Sequence, residues 1–352
     1  MEQEPQRTDI SSLGEFGLIE RLAKKVEIFH PQTQMGIGDD AAVYAIGEQL
    51  LLHSTDMLLE GVHFDLAYTP LQHLGYKAIA VNVSDIAAMN GIPLQVTVGI
   101  GLSNRFSVEA IEALYEGIRA ACKSYKVDLV GGDTTSSRSG LVISVNILGT
   151  CQANEVSYRH TAHEGDILCC SGDLGAAYVG LQLLEREKQT FLANPDMQPD
   201  LDQKTYVIGR QLKPEARTDL IHDLRELGVV PTAMIDISDG LASEIHHICH
   251  RSGLGAYIYE DKVPIDKETY EVALNDFNIS PITCALNGGE DYELLFTIRQ
   301  EDYEKIKNHA DINTIGYMTA PDKGIRLITR GGQSVAIQAQ GWQHFQSKPS
   351  QG

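Results

Sequence analysis

Residues 77–89 read KAIAVNVSDIAAM, an apolar run from Ala78 to Val83 that halts at Ser84-Asp85 and then resumes. The run predicts a buried strand, Ala78–Val83, closing on a small residue and a carboxylate. Outward from it, strands are predicted at Gln49–His53, Gln95–Leu102, Val127–Val130 and Leu141–Gly149. A helix lies between Gln95–Leu102 and Val127–Val130, with Val108, Ile111, Leu114, Ile118 and Ala121 at helical spacing. Phe16, Ile19, Leu22, Ala23 and Val26 mark an earlier helix. Strands mixed with helices in this way make an α/β layer structure.

The second half repeats the mixture. Strands are expected at Asp166–Cys170, Ala256–Tyr259, Tyr292–Ile298 and Ile325–Thr329, and helices near 176–187, 214–227, 241–251 and 266–277. FLANPDMQPDLDQ (191–203) reads as a surface excursion, and Arg330-Gly331-Gly332-Gln333 as the turn of a closing hairpin. The expected division is a polar leader, 1–11, an N-terminal domain, 12–157, a C-terminal α/β domain packed against it, 158–345, and a tail, 346–352. A chain of 352 residues has room for two such cores.

Composition narrows the function. The formal charge is −20, which opposes sequence-independent nucleic-acid binding and attachment to anionic lipid. No apolar window is long enough to span a bilayer. The six cysteines sit in or beside apolar runs with no CxxC pair, as expected of reduced, buried thiols in a cytoplasmic protein. Vicinal Cys169-Cys170 would point to opposite faces of a strand.

The placement of acids is more informative than their number. Gly38-Asp39-Asp40, Ser54-Thr55-Asp56, Val83-Ser84-Asp85, Gly131-Gly132-Asp133, Asp236-Ile237-Ser238-Asp239-Gly240 and Gly288-Gly289-Glu290-Asp291 each follow or interrupt an apolar run. Strand ends beside glycine are where α/β proteins place sites, because backbone can approach a ligand there. Two carboxylates ~4 Å apart repel by ~4 kcal/mol at an effective dielectric of ~20, so convergent acids recruit protons or cations. Oxygen ligands with room for water suit Mg²⁺, which bridges to substrate phosphates. Taken singly, any one such cluster could be only a turn or a helix cap.

Rival motifs are absent or incomplete. There is no GxxxxGK[ST], no kinase catalytic-loop HRD or DFG, and no GxSxG. Gly36-Ile37-Gly38-Asp39-Asp40-Ala41 fits GxGxxA, but no apolar strand precedes it, and two aspartates would face a pyrophosphate bare. Asp236–Gly240 lacks the distal Glu of a calcium loop, and His246/His250 lack the glutamate of HExxH.

GEFGLIERL (14–22), MGIGDDAAV (35–43), STDMLLEGVHF (54–64), KAIAVNVSDIAAM (77–89), LVGGDTT (129–135), IDISDGL (235–241) and NGGEDYELLF (287–296) together resemble the thiamine-monophosphate kinase family. The resemblance runs from residue 14 to about 345. It implies transfer of a phosphoryl group from ATP to thiamine monophosphate with Mg²⁺, giving thiamine diphosphate and ADP. It implies the aminoimidazole-ribonucleotide synthetase-like fold, in which N-terminal sheets of two subunits join in a homodimer and the site lies between domains near that interface. On this resemblance Asp40, Ser54, Thr55, Asp56, Asp85, Asp133, Asp236 and Asp239 match metal positions, with Asp40, Asp85, Asp133 and Asp239 central to catalysis. Tyr115, Gly132, Asp133, Arg159 and Ser238 match ATP contacts, and His63, Glu290 and Trp342 match contacts to the thiamine phosphate. Physically, Arg159 could fork onto phosphate oxygens, and the indole of Trp342 could stack on a cationic or aromatic ring. Tyr115, four residues from Ile111 on the expected helix, could equally be a core residue. No cysteine falls within residues 1–40, where selenophosphate synthetase-like members of the superfamily carry their reactive residue.

Overall fold

The computed structural model describes residues 10–197, 201 and 203–339. The leader, apart from its last residues, and the tail with Trp342 lie outside them. The first unit runs α1 (Gly14–Ala23), β1 (Thr33–Met35), β2 (Ala42–Ile46), β3 (Gln49–Leu59), α2 (Leu71–Ala88), β4 (Ile92–Leu102), α3 (Val108–Tyr125), β5 (Asp128–Ser136) and β6 (Val142–Gln152). Its six strands form one sheet in the order β1-β2-β3-β6-β4-β5, antiparallel except for the β4–β5 pair. One face packs on α2 and α3 around Leu52, Ile79, Ile86, Leu114, Ile118 and Ile147. The opposite face leaves Ile46 and Met57 exposed.

The second unit runs β7 (Ile167–Ser171), α4 (Ala176–Ala193), α5 (Thr205–Leu212), α6 (Thr218–Glu226), β8 (Ala233–Asp236), α7 (Leu241–Ser252), β9 (Gly255–Tyr259), α8 (Lys267–Phe277), α9 (Pro281–Asn287), β10 (Leu294–Ile298), α10 (Tyr303–Ile306), β11 (Ile312–Thr319), β12 (Ile325–Ile328) and β13 (Ser334–Ala336). Its sheet has the order β13-β12-β9-β11-β7-β10-β8. Cys169 and Cys170 on β7 enter different cores, as strand alternation requires, and all six cysteines are buried and free. The β12–β13 hairpin turns at residues 329–333, where the Thr329 N–H donates to Gln333 O at 2.8 Å. Among the described residues, no helix is long and apolar enough to cross a membrane.

The expected strand Ala78–Val83 is instead the middle of α2. Fourteen of its eighteen residues are buried, because the helix lies against the first sheet on one side and against β8, α5 and α6 on the other. A helix covered all round loses its polar face, and with it the periodicity that separates helix from strand. Its pairing with α3 is unusually close: a Cβ on Gly75 would stand 2.0 Å from Leu114 O, and one on Gly117 1.9 Å from Gln72 O. Glycine is therefore obligatory at both positions.

The acid clusters also sit differently from expectation. Ser54-Thr55-Asp56 falls inside β3, which continues to Leu59, Asp133 falls inside β5, and Asp85 is helical. Asp236 does end a strand.

Candidate active site

The NVSD stretch of α2 draws the acids together. Asn82 Oδ1 accepts the Asp56 N–H at 3.0 Å, while its amide donates to Ala78 O one turn back. The Ser84 hydroxyl donates to Asp236 Oδ2 at 2.7 Å, and Asp85 Oδ2 accepts from the Ser54 hydroxyl at 2.5 Å. One helical turn thus stitches β3 of the first unit to β8 of the second. Carboxylate oxygens of Asp40, Asp85 and Asp236 lie within 4.8 Å of one another.

Such crowding in a buried place favours the protonated form. Burial, then the neighbouring aspartates, pushes Asp85 well above the ordinary carboxylate range. Burial and Asp40 lift Asp236 to about 8 and Asp56 to about 6. Asp39, whose side chain is fully enclosed, rises to about 7 through burial and the Asp40 charge, against the pull of Arg159. Arg159 is the cation of the cluster. Its Nε donates to Asp40 Oδ2 at 3.1 Å, its Nη2 donates to Asp40 Oδ1, and its backbone N–H donates to Asp39 Oδ2 at 3.2 Å.

The acids open onto a cavity of about 550 Å³ between the two units. Asp56, Asp85, Asp236, Ser238 and Asp239 line it, as do His63 and Glu290. The buried Glu244, on α7, takes the backbone N–H groups of Ser238 and Asp239 on Oε1 at 3.0 and 2.7 Å, shaping the loop after β8. His63 Nδ1 accepts the Leu59 N–H at 3.0 Å, which leaves the ring proton of the neutral imidazole on Nε2. The Glu290 loop is fastened to the β8 loop by Glu290 N–H to Ser238 O at 2.7 Å and Tyr292 N–H to Ile237 O at 2.9 Å. Glu290 and Tyr292 take φ of 59° and 51°, left-handed values that few side chains adopt.

Other expected site residues lie elsewhere. Thr55 points away from the acids, its hydroxyl bonded to Val145 O at 3.0 Å. Asp56 registers across the sheet with Val145, Val98 and Gly132, so Asp133 stands one residue further on, with its side chain on the opposite side. Three strand spacings, roughly 14 Å, separate β3 from β5. Tyr115 packs on the first core and borders a separate surface groove with Phe106 and Arg119. Three residues absent from the sequence reading belong to the site: Lys77 and Gln211, which line the cavity, and Glu244. Lys77 did carry a signal, since Lys77, Val81 and Asp85 recur at helical i, i+4, i+8 spacing and all line the cavity.

Residues 38–151 match the family model for the N-terminal domain of AIR synthase related proteins, and residues 164–329 match that for the C-terminal domain. Fold and site therefore define a two-domain protein of the AIR synthase related class. A thiamine-monophosphate kinase of Bacillus subtilis strain 168 is 34% identical over 341 residues, 95% of this chain and 100% of that protein. One from Aquifex aeolicus strain VF5 is 34% identical over 336 residues, covering 96% of this chain and 99% of that one. The solved structure of AaThiL complexed with AMPPCP and TMP matches with a TM-score of 0.82 at 33% identity, covering 97% of this chain and 100% of that chain. The chain belongs to the thiamine-monophosphate kinase family and is an enzyme of that family.

Proposed function

We propose that this enzyme transfers the terminal phosphoryl group of ATP directly to the phosphate of thiamine monophosphate, releasing ADP and thiamine diphosphate as the last step in making that cofactor. The observation that carries the reading is the Asp40–Asp85–Asp236 cluster opening onto a cavity large enough for a small anionic acceptor. The acceptor phosphate is already an anion at neutral pH, so no residue is needed as general base and no phospho-enzyme is required. Catalysis then rests on positioning and on stabilising spread negative charge.

An all-oxygen donor set in which burial and neighbouring aspartates drive Asp85 and Asp236 toward protonation fits Mg²⁺. Asp40, Asp85 and Asp236 would hold it, with Asp56 and Asp239 beside them. When bound, Mg²⁺ would supply the positive charge that screens the two phosphates from each other. Arg159, which forks onto Asp40, would turn its guanidinium to ATP oxygens, with Ser238, Gly132 and Tyr115 as further ATP contacts. The Nε2–H of His63 and the carboxylate of Glu290 would contact the acceptor, as would Trp342.

Asp133 enters this scheme through a second copy. It lies on an exposed edge strand, on the far side of the sheet from Asp56, and that sheet face exposes Ile46 and Met57. A homodimer joined through these sheets covers the apolar face and brings Asp133 and Gly132 of one subunit toward the other's site. Six buried free thiols suit a reducing, cytoplasmic setting.

The test is product chromatography of the purified protein with ATP, thiamine monophosphate and a Mg²⁺ titration, with free thiamine as control acceptor. Equal amounts of thiamine diphosphate and ADP, formed only from the monophosphate and only with Mg²⁺, are expected. Tight binding without ADP release would replace the kinase by a thiamine-phosphate-binding protein. ATP hydrolysis without diphosphate would point to another reaction of the same superfamily.

A further inference from the structure

The cavity has a second polar group, built around Glu290 and reached by Lys77, two helical turns along α2 from Asp85. Lys77 reaches it from α2 in the first unit, and Gln211 from α5 in the second. Both are almost completely buried, at 2% and 6% exposure. Lys77 Nζ lies 2.6 Å from Glu290 Oε2, and Gln211 Nε2 donates to the same oxygen at 2.8 Å. Lys77 Nζ also points at the backbone carbonyl of Gln211, at 3.4 Å. Two donors thus converge on one carboxylate oxygen. Among the described residues, no donor is recorded on the other, Oε1, and the Glu290 side chain keeps 26% of its surface open.

Two features oppose reading this as a chance ion pair. The Gln211 amide faces Glu290 with its nitrogen, which leaves its own carbonyl oxygen buried without a partner among the described residues. That is an unfavourable arrangement for Gln211 itself, and it keeps an N–H on the carboxylate. The Glu290 backbone, held left-handed and bonded to Ser238 O, is likewise fixed against its preference. Main chain and one oxygen are both constrained, and the remaining freedom is confined to Oε1 at the cavity wall.

We propose that Lys77 and Gln211 are positioning residues, which clamp Oε2 of Glu290 so that Oε1 accepts a hydrogen bond from an N–H group of the phosphoryl acceptor. The inference rests on the reading that Glu290 contacts that acceptor. A carboxylate oxygen only accepts, so its partner must be a donor. With Lys77 already balancing the charge, a neutral N–H is sufficient and a cationic group is not demanded. On this proposal Lys77 acts through Glu290 and not on the reacting phosphates.

The test is steady-state kinetics at saturating ATP for Lys77→Met, Gln211→Leu, Glu290→Gln and the double variant Lys77→Met/Glu290→Gln. Lys77→Met should raise the KM for thiamine monophosphate by roughly ten- to a hundredfold, the range for a hydrogen bond to a charged group. Its kcat should stay within about threefold and its KM for ATP should not move. Gln211→Leu should raise the same KM by a smaller factor. The double variant should be no worse than Glu290→Gln alone, because an amide held by Lys77 turns an N–H, not an acceptor, to the cavity. Losses that multiply in the double variant would overturn the inference, since Lys77 would then contribute on its own. An unmoved KM in Lys77→Met would overturn it too. Should Lys77→Met fail to fold, Gln211→Leu decides: a raised KM for the acceptor alone supports the clamp, and a wild-type KM overturns it. Wild-type protein that forms no thiamine diphosphate would instead sink the kinase reading beneath it, which the same assay reports separately.

Discussion

Replacing Asp236 by Asn probes the acid cluster at its centre. Asparagine keeps an oxygen for the Ser84 hydroxyl, which donates to Oδ2 at 2.7 Å, and removes the charge. Burial, then the charge of Asp40, lifts Asp236 from 3.8 to about 8; Asp56 adds to the rise, while Ser84 and Arg159 oppose it. In the unfolded chain the group titrates near ~3.9. Between those values the cation-free native protein holds a proton that the unfolded chain has released. The stability this provides is complete below ~pH 4 and is lost as pH rises through about 8. At ~1.36 kcal/mol for each tenfold change, the interval is worth on the order of 5 kcal/mol. Urea unfolding in chelator, followed from about pH 5 to about pH 8, should show a falling wild-type midpoint. The Asp236→Asn slope should be shallower, because one raised carboxyl is gone, but not flat, because burial keeps Asp85 raised. Near pH 8 the variant should be more stable than wild type by several kcal/mol, up to the order of 5. Excess Mg²⁺ should stabilise the wild type and leave the variant nearly unmoved. A wild-type midpoint flat across this range, or a variant less stable than wild type near pH 8 in chelator, would refute the reasoning.

Other changes test neighbouring contacts. Asp85→Asn should lower kcat by about a hundredfold or more while the chelated protein melts no earlier than wild type; normal turnover would remove Asp85 from the proposed machinery. Glu244→Ala strips the acceptor from the Ser238 and Asp239 N–H groups and should cost about 2–3 kcal/mol in urea unfolding. Glu244→Gln, which retains an oxygen, should recover most of that loss; equal losses in both variants would show that the charge of Glu244 matters, and not its cap. Gly75→Ala forces a Cβ within 2.0 Å of Leu114 O and should destabilise by about 3 kcal/mol or more, read from the same unfolding curve.

Much of the site is legible in the sequence, for reasons that differ by residue. The acid-glycine clusters are local, so Asp40, Asp85 and Asp236 could be singled out from short stretches, and the α/β class followed from runs such as Leu141–Gly149. Residues 78–83 read as a strand because the surroundings of the helix they belong to, a sheet on one side and a second unit on the other, remove its polar face. Asp133 illustrates a different limit. Its motif is as clear as the others, yet its distance from Asp56 depends on strand order and register, which are long-range properties. Gln211 lay beside a proline-rich excursion that obscured the short helix carrying it. Glu244 reads as an ordinary helix residue until the β8 loop is seen folding back onto it.

The span from Lys77 to Asp85 has a mechanical consequence. Eight residues of α-helix cover ~12 Å along the axis, and a helix is stiff against stretching. On the proposed reading, Lys77, which backs the Glu290 loop, and Asp85, among the acids, are therefore spaced by a rigid ruler. Inserting a residue between them would turn everything beyond it by ~100° and carry one of the two off the cavity wall. If the proposed roles hold, the backbone of a single helix helps to set acceptor length.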